Sequence, residues 1–146
     1  MQVEVQHVPP GRIFEALGCI QALVRESVEW TEGRMDADDI ARLALAPQSQ
    51  LWIVIDTDTG VIHGYLLTEV KRYPRKFMFQ VHHCAMRPHT KALVEEQMHK
   101  TMEQFARDQG CWGVEFFGRP GWKKHAKTFG YETQTVVYEK HFYGRH

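Results

Sequence analysis

Three runs of residues with strand-like patterning follow one another in the middle of the chain, and only short turns separate them. The runs cover residues 51–55, 61–67 and 77–85, and each is rich in branched and aromatic side chains. Turns are expected at Asp58-Thr59-Gly60 and around Tyr73-Pro74-Arg75, because Gly and Pro favour turns. Consecutive strands joined by short turns pair antiparallel. The sequence therefore predicts an antiparallel meander, around which the rest of the fold has to be built.

Helical patterning flanks this meander on both sides. Apolar side chains recur at helical spacing over residues 13–28, which predicts an amphipathic helix. Asp36 is the expected N-cap of a second, short helix, and Pro47 ends it. After the meander, a long helix is predicted from near Thr90 to a stop at Gly110. These helices need a sheet to cover their apolar stripes, so we expect them to pack against the meander.

The remaining segments complete a single domain. Short strands are predicted near residues 3–8 and over residues 112–117, then a helix over residues 121–129 with Gly130 at its C′ position, and a last strand over residues 131–142. The order is β-α-α-β-β-β-α-β-α-β. It indicates an α/β (α+β) fold with a mixed, mostly antiparallel sheet and helices on both faces. With 146 residues, one domain over residues 1–146 is expected.

Charge and hydropathy favour a chain without nucleic-acid or membrane partners. Eighteen Lys and Arg residues balance 18 Asp and Glu residues, so the net charge is zero and no basic surface for a polyanion is expected. No apolar run is long enough to span a bilayer, and the N-terminus has no pattern of a secretory signal. A cytoplasmic location is the resulting expectation.

The histidines are the compositional anomaly, with nine in the chain. The triplet His82-His83-Cys84 invites a metal-site interpretation. However, strand alternation is expected to place His82 and Cys84 on one face of the sheet and His83 on the other, so the triplet cannot chelate as one cluster. No metal site is predicted, and a histidine-rich metal-binding protein is the weakest of the interpretations. The three cysteines have no close spacing and are expected to be reduced thiols.

From residue 3 to residue 142 the succession of elements resembles the GCN5-related N-acetyltransferases (GNAT). In that family a loop of the form Arg/Gln-x-x-Gly-x-Gly/Ala joins the fourth strand to a helix and holds the pyrophosphate of acetyl-CoA. The matching stretch here is Arg87-Pro88-His89-Thr90-Lys91-Ala92, in which Arg87 and Ala92 fit and Thr90 replaces the glycine. A register anchored on Met86-x-Pro88 would instead shorten the loop and lose the motif.

The resemblance implies that acetyl-CoA is the co-substrate and that a set of residues around this loop binds it. Backbone N–H groups at a helix N-terminus form an anion site, and cations beside it can pair with phosphates. Arg87 and Lys91 are the expected cations. The implied cofactor-binding residues are Met86, Arg87, Thr90, Lys91 and Ala92.

Acetyl transfer from a thioester to an amine needs a base, a donor for the carbonyl oxygen and an acid for the thiolate. His83 and His82 are candidate bases, since an unperturbed imidazole titrates near neutral pH. Glu115 is a third, acting directly or through water. The backbone N–H of Met86 is the implied donor to the carbonyl oxygen, and Tyr131 or His125 could replace the family's tyrosine as the acid, with Tyr131 as our candidate. Each side chain also fits a structural or exposed role.

Two functions stay open at this point. The resemblance implies an N-acetyltransferase that acts on an amine, either a small molecule or a protein amino group, in a protein compatible with a homodimer. The alternative is a non-catalytic GNAT-fold binding or assembly module, for example phage-associated, with a degenerate cofactor site. Thr90 at the glycine position favours this alternative, as does Ala126, where the family often has a tyrosine.

Overall fold

The structure of the protein is a computed structural model that describes residues 2–31, 33–118 and 122–143. Its contacts divide the chain into two units, Met1–Phe116 and Phe117–His146, which are described here one after the other. The expectation of one domain over residues 1–146 stays a prediction. Among the described helices, none combines the length and the apolar character needed to cross a membrane.

The first unit contains one five-stranded sheet. Its strands are β1 (Val3–His7), β2 (Ser49–Asp56), β3 (Ile62–Arg72), β4 (Phe77–Met86) and β5 (Gly113–Phe116). They lie side by side in chain order; β1 to β4 pair antiparallel, and β5 pairs parallel to β4. The predicted meander is therefore confirmed, and so is the mixed, mostly antiparallel sheet.

Three helices of this unit cover opposite faces of the sheet. They are α1 (Ile13–Ser27), α2 (Ala37–Leu45) and α3 (Lys91–Asp108). The side chain of Asp36 accepts a hydrogen bond from the backbone N–H of Asp39, and Asp39 caps in return, which confirms the predicted N-cap.

Each face has its own apolar cluster. We call the face under α1 and α2 the α1 face, and its buried sheet residues are Leu51, Tyr65, Leu67 and Ala85. We call the opposite face the α3 face, and its buried sheet residues are Trp52, Val54, Leu66 and Phe79. Helices on both faces are thus confirmed, and the alternation of residues 51 to 54 and 65 to 67 between the clusters follows the period of two of a strand.

A β-bulge interrupts this alternation in β4. In β3 the neighbouring residues Leu67 and Thr68 lie opposite His83 and Val81, so His82 is an extra residue without a partner. A bulge places two successive side chains on the same side of a strand.

The bulge corrects one sequence-based expectation. Nε2 of His82 lies 2.6 Å from Oε1 of Glu69, which is two residues beyond Leu67 and therefore on the α1 face. His83 also faces α1, where it contacts Ser27. The prediction that His82 and His83 lie on opposite faces is wrong, because the extra residue shifts the phase of the strand.

The second unit contains the short helix α4 (Lys123–Thr128). Its predicted start at Gly121 lies outside the described residues. Gly130 has a φ of 87°, which confirms the predicted C′ position. The predicted last strand over residues 131–142 is wrong, since no strand forms over residues 131–141 and Val136 and Tyr138 are exposed. Branched and aromatic residues favour a strand only where a neighbouring strand supplies the ladder.

Candidate active site

Strand β4 extends beyond the end of its neighbour β5. The pairing between them covers only Met78–Val81, opposite Gly113–Phe116. Residues 82–86 of β4 therefore have no strand beside them on that side among the described strands. Backbone groups on this side of the stretch have no ladder partner among the described strands, and we call this unpaired edge of β4 the gap.

The backbone N–H of Met86 points into this gap. The N–H of Arg87 donates to the carbonyl oxygen of His63 at 2.8 Å, so the adjacent pair, Gly64 and Met86, is the non-hydrogen-bonded kind. In such a pair the N–H groups point away from the partner strand. The orientation fits the oxyanion donor expected at Met86, and the role itself stays a prediction.

Gly64 allows β3 and β4 to approach each other closely at this point. A Cβ atom at residue 64 would lie 2.7 Å from the carbonyl oxygen of Ala85 and 2.9 Å from Cγ of Met86. Both distances are shorter than van der Waals contact, so any side chain here would displace the end of β4. Sequence reasoning missed this glycine, because the clash depends on pairing between strands.

A cavity of about 370 Å³ lies beside Met86, within the range of small-molecule sites. Its lining residues come from α1 and from the end of β4: Leu23, Glu26, Ser27, Ala85, Met86, Arg87 and Pro88. Two predicted residues, Met86 and Arg87, are therefore brought together with Ser27, which sequence reasoning did not single out.

A buried hydrogen-bond chain lies in the wall of this cavity. Oγ of Ser27 is 2.8 Å from the hydroxyl of Tyr65 and 3.0 Å from Nε2 of His83. All three side chains are at least 93% buried, with exposed fractions of 1%, 0% and 7%. Burial lowers the pKa of His83, and it raises the pKa of Tyr65 to about 12. His83 is therefore neutral near pH 7 and able to accept a proton.

The second candidate base, His82, is paired with a carboxylate away from this cavity. Its partner Glu69 lies 2.6 Å away, and both side chains are mostly buried. Glu69 also lines a more open depression of about 480 Å³ together with Pro47, Gln48 and residues 70–72. None of the predicted site residues lines that depression.

Glu115, the third candidate, is held by two neighbours on the sheet. Its Oε1 accepts a hydrogen bond of 2.5 Å from the hydroxyl of Tyr73 and one of 3.3 Å from Nε2 of Gln80. The hydrogen bond to Glu115 raises the pKa of Tyr73. The carboxylate is therefore already engaged as an acceptor.

The predicted phosphate loop leads directly into α3. His89 has a φ of 70°, and Thr90 is the N-cap without a side-chain hydrogen bond to the first turn. Thr90 is 4% exposed, and its backbone N–H donates to the carbonyl oxygen of Arg87 at 3.3 Å. Arg87 is exposed, and Nζ of Lys91 lies 4.0 Å from Glu95. Ala92 is exposed in the first turn.

Tyr131, the candidate acid, lies in the second unit. Its backbone N–H donates to the carbonyl oxygen of Ala126 at 3.1 Å, directly after α4. Its role as an acid stays a prediction. Within residues 2–31, 33–118 and 122–143, no three His, Cys, Asp or Glu side chains converge as metal ligands.

No family model matches the chain, and no curated protein matches it by sequence. Solved structures do match it in fold. An aminoglycoside acetyltransferase from an uncultured soil metagenomic sample has a TM-score of 0.71 at 12% identity, over 97% of this chain and 99% of that chain. A glucosamine-6-phosphate N-acetyltransferase from Arabidopsis thaliana has a TM-score of 0.67 at 12% identity, over 97% and 99%.

A third structure was solved with a ligand. It is AAC(6')-Iy in complex with the bisubstrate analogue CoA-S-monomethyl-acetylneamine, with a TM-score of 0.67 at 15% identity, over 97% of this chain and 100% of that chain. The chain therefore has the GNAT fold that its sequence resembles. At sequence identities this low, the similarity establishes the fold and not the activity.

Proposed function

We propose that the protein is an acetyl-CoA-dependent N-acetyltransferase that acts on the amino group of a small molecule or a protein. The observation that carries this proposal is the Met86 amide, which points into the gap beyond β5 beside a cavity of about 370 Å³. An N–H donor aimed into such a gap suits the oxygen of a thioester carbonyl in the transition state. The acetyltransferases with the same fold support the same class of reaction.

The residues at the start of α3 fit the phosphates of acetyl-CoA. The first turn of α3 contains no acidic residue and its amides have no side-chain cap, so the positive end of the helix is available to an anion. The backbone N–H groups of Lys91 and Ala92 would hold the pyrophosphate, with Thr90 as the N-cap before them, and the Arg87 and Lys91 side chains would pair with phosphate oxygens. When bound, acetyl-CoA supplies the activated acetyl group.

Of the three candidate bases, His83 is best placed to act on an amine in the cavity. His82 is bound by Glu69, and Glu115 is bound by Tyr73 and Gln80. His83 is connected to the cavity wall through Ser27 and is neutral near pH 7. We keep Tyr131 in the proposal as the acid for the thiolate.

The alternative, a non-catalytic binding or assembly module, is supported by one feature of the loop. Thr90, at the position of the family's glycine, turns its side chain inward, and Pro88 has no N–H to offer. A loop with fewer donors binds a pyrophosphate less tightly, so this alternative predicts the fold without the cofactor.

The decisive experiment is a thermal shift with acetyl-CoA, followed by a thiol-release assay. We expect acetyl-CoA at 100 times its Kd to stabilise the protein by about 2.7 kcal/mol. The variant Arg87→Ala/Lys91→Ala should reduce this shift, whereas Lys100→Ala should keep it, because Lys100 lies in the third turn of α3 and pairs with Glu96.

The amines for the assay follow the acetyltransferases that share this fold, and they are sisomicin, glucosamine-6-phosphate and a peptide with N-terminal alanine. Thiol release with any of them supports the enzyme. No thermal shift at millimolar acetyl-CoA contradicts it and favours the module. The cytoplasmic location, the lack of nucleic-acid and membrane partners and the homodimer remain predictions beside this proposal.

A further inference from the structure

We infer that Ser27 carries the proton from the acceptor amine in the cavity to the buried base His83. The inference rests on the proposed acetyl transfer and adds to it a residue of α1 that no sequence motif indicates. Ser27 is the member of the buried chain that lines the cavity, and His83 lies directly behind it.

The distances favour a chain of hydrogen bonds that runs towards His83. The Ser27 hydroxyl has one proton and three acceptors within reach: the hydroxyl of Tyr65 at 2.8 Å, Nε2 of His83 at 3.0 Å and the carbonyl oxygen of Val24 at 3.3 Å. The Tyr65 hydroxyl contacts Ser27 and has its own proton to donate, so His83 is the nearer of the two acceptors that remain for the Ser27 proton. Tyr65 then donates its own proton to Oγ of Ser27 at 2.8 Å. In this arrangement His83 carries its proton on Nδ1 and offers Nε2 as a proton acceptor.

A purely structural role requires the opposite arrangement. If Ser27 donates to the carbonyl oxygen of Val24, as helical serines often do, then His83 must donate from Nε2 to Oγ. His83 would be a buried donor in that case and not a base. The two roles therefore differ in one observable, the ring nitrogen of His83 that carries the proton.

The charged and titratable groups that can be named around this site come from α1, β3 and β4. The charged side chains that line the cavity are Glu26 from α1 and Arg87 after β4. The titratable neighbour from β3 is Tyr65, whose raised pKa of about 12 keeps it protonated. Along β4, His82 is held by Glu69. The neutral His83 is the base that Ser27 contacts directly.

The step balances as follows. The amine nitrogen forms a bond to the thioester carbonyl carbon, and the C–S bond breaks with its electron pair leaving on sulfur. The amine proton passes to Oγ of Ser27 while the hydroxyl proton of Ser27 passes to Nε2 of His83. The thiolate takes up a proton, His83 later returns its own to water, and Ser27 is regenerated with its hydroxyl.

The first test uses the wild-type protein and needs no acceptor. Nitrogen-15 NMR of the histidine side chains, assigned by the loss of one ring in His83→Gln, reports the tautomer of His83 at pH 7.5. We expect the proton on Nδ1. A proton on Nε2 would overturn the inference, whatever the protein does with acetyl-CoA.

The second test compares three variants in thiol release, with the fastest acceptor of the three amines above. Ser27→Ala should lower kcat by about 100-fold or more, the scale of a general-base contribution, and leave the acetyl-CoA thermal shift unchanged. His83→Gln can still hydrogen-bond to Ser27 but cannot act as a base, so its kcat should decrease by as much as that of Ser27→Ala. Tyr65→Phe is the matched control, because it removes one hydrogen bond of Ser27 but leaves the contact between Ser27 and His83. Its kcat should decrease by less than tenfold.

The outcomes separate the inference from the function on which it rests. Equal losses in Ser27→Ala and Tyr65→Phe would show a structural network and overturn the inference, while the acetyltransferase activity stands. Binding of acetyl-CoA without thiol release by the wild-type protein rejects the proposed function itself. If Ser27→Ala does not fold, His83→Gln together with the tautomer decides the question.

Discussion

Both faces of the sheet bury a polar hydrogen-bond network beneath a helix, but the two networks consist of different side chains. Each has a buried hydroxyl that joins two polar side chains. On the α3 face, Thr68 accepts a hydrogen bond from Nε1 of Trp52 at 2.9 Å and donates to Gln50 at 2.9 Å. On the α1 face, Ser27 joins Tyr65 and His83.

The difference between these two networks lies in what their ends can do. Neither an indole N–H nor an amide titrates in water near pH 7, so the Thr68 network is fixed in one state. The Ser27 network ends on an imidazole and borders a cavity. A buried hydrogen-bond network is therefore not by itself a sign of a functional site. A network becomes a candidate site when it includes a titratable side chain and borders a cavity that a ligand can enter.

The largest expected effect comes from opening the α3 face. Phe79 is fully buried there, beside Phe105 at a ring distance of 5.4 Å. Phe79→Ala should lower the free energy of unfolding by about 3–5 kcal/mol through lost burial and a cavity. Urea denaturation measures it. The control Phe77→Ala, on the same strand but 39% exposed, should cost far less, and equal costs would contradict a closed α3 core.

The next effect is expected at the close approach of β3 and β4. Gly64→Ala should destabilise the protein by about 2 kcal/mol, because its Cβ overlaps Ala85 and Met86. Gly18→Ala is the control, since a Cβ there meets nothing within 4 Å. In α1 it should stabilise by up to about 1 kcal/mol. Thermal unfolding of both variants shows whether the opposite signs hold.

A smaller effect is expected from removing the hydroxyl of the α3 face. Thr68→Val keeps the shape but leaves Nε1 of Trp52 without its acceptor, so we expect a loss of about 1 kcal/mol. Thiol release should not change. A loss of activity as large as in Ser27→Ala would contradict the contrast between the faces.

The smallest effect concerns pH, and it involves one histidine from each face. Burial lowers the pKa of His83 and that of His7, which stacks on Trp52 at 4.6 Å, below 6.5. The unfolded chain therefore binds protons more readily, so stability is complete above about pH 6.5 and falls as the pH decreases towards the lowered pKa values. Urea denaturation between pH 8 and pH 5 measures the decline.

The histidine variants divide that decline between the faces. His83→Gln should remove the part of the stability loss at low pH that comes from the α1 face. His7→Gln should remove the part that comes from the α3 face. A slope that neither variant reduces would show that other groups cause it.

Local patterns predicted most of the fold. The meander and the cap at Asp36 depend on residues a few positions apart, and they were predictable for that reason. The strand around Val136 and Val137 was predicted from the same kind of pattern and does not form. Propensity reports what a residue prefers within a sheet, and only a partner strand provides the sheet.

The site was predictable only in part. Met86 and Arg87 were named from the resemblance to the family's loop after its fourth strand, and both line the cavity. Ser27 was not named, because its contact with His83 joins residues 56 positions apart and an isolated serine near the end of a helix has no pattern. The bulge at His82 was missed for a similar reason, as it exists only in the register with β3.

That bulge limits how the length of β4 can change. A strand with one extra residue behaves as two half-strands of opposite phase, with Phe79 on the α3 face in the first half and His83 on the α1 face in the second. Deleting one residue near His82 would remove the bulge and restore regular pairing, with Phe79 and His83 still on their present faces. A single deletion is therefore tolerable here, whereas a single insertion or the loss of two residues would force one half of β4 to turn its side chains to the other helix layer.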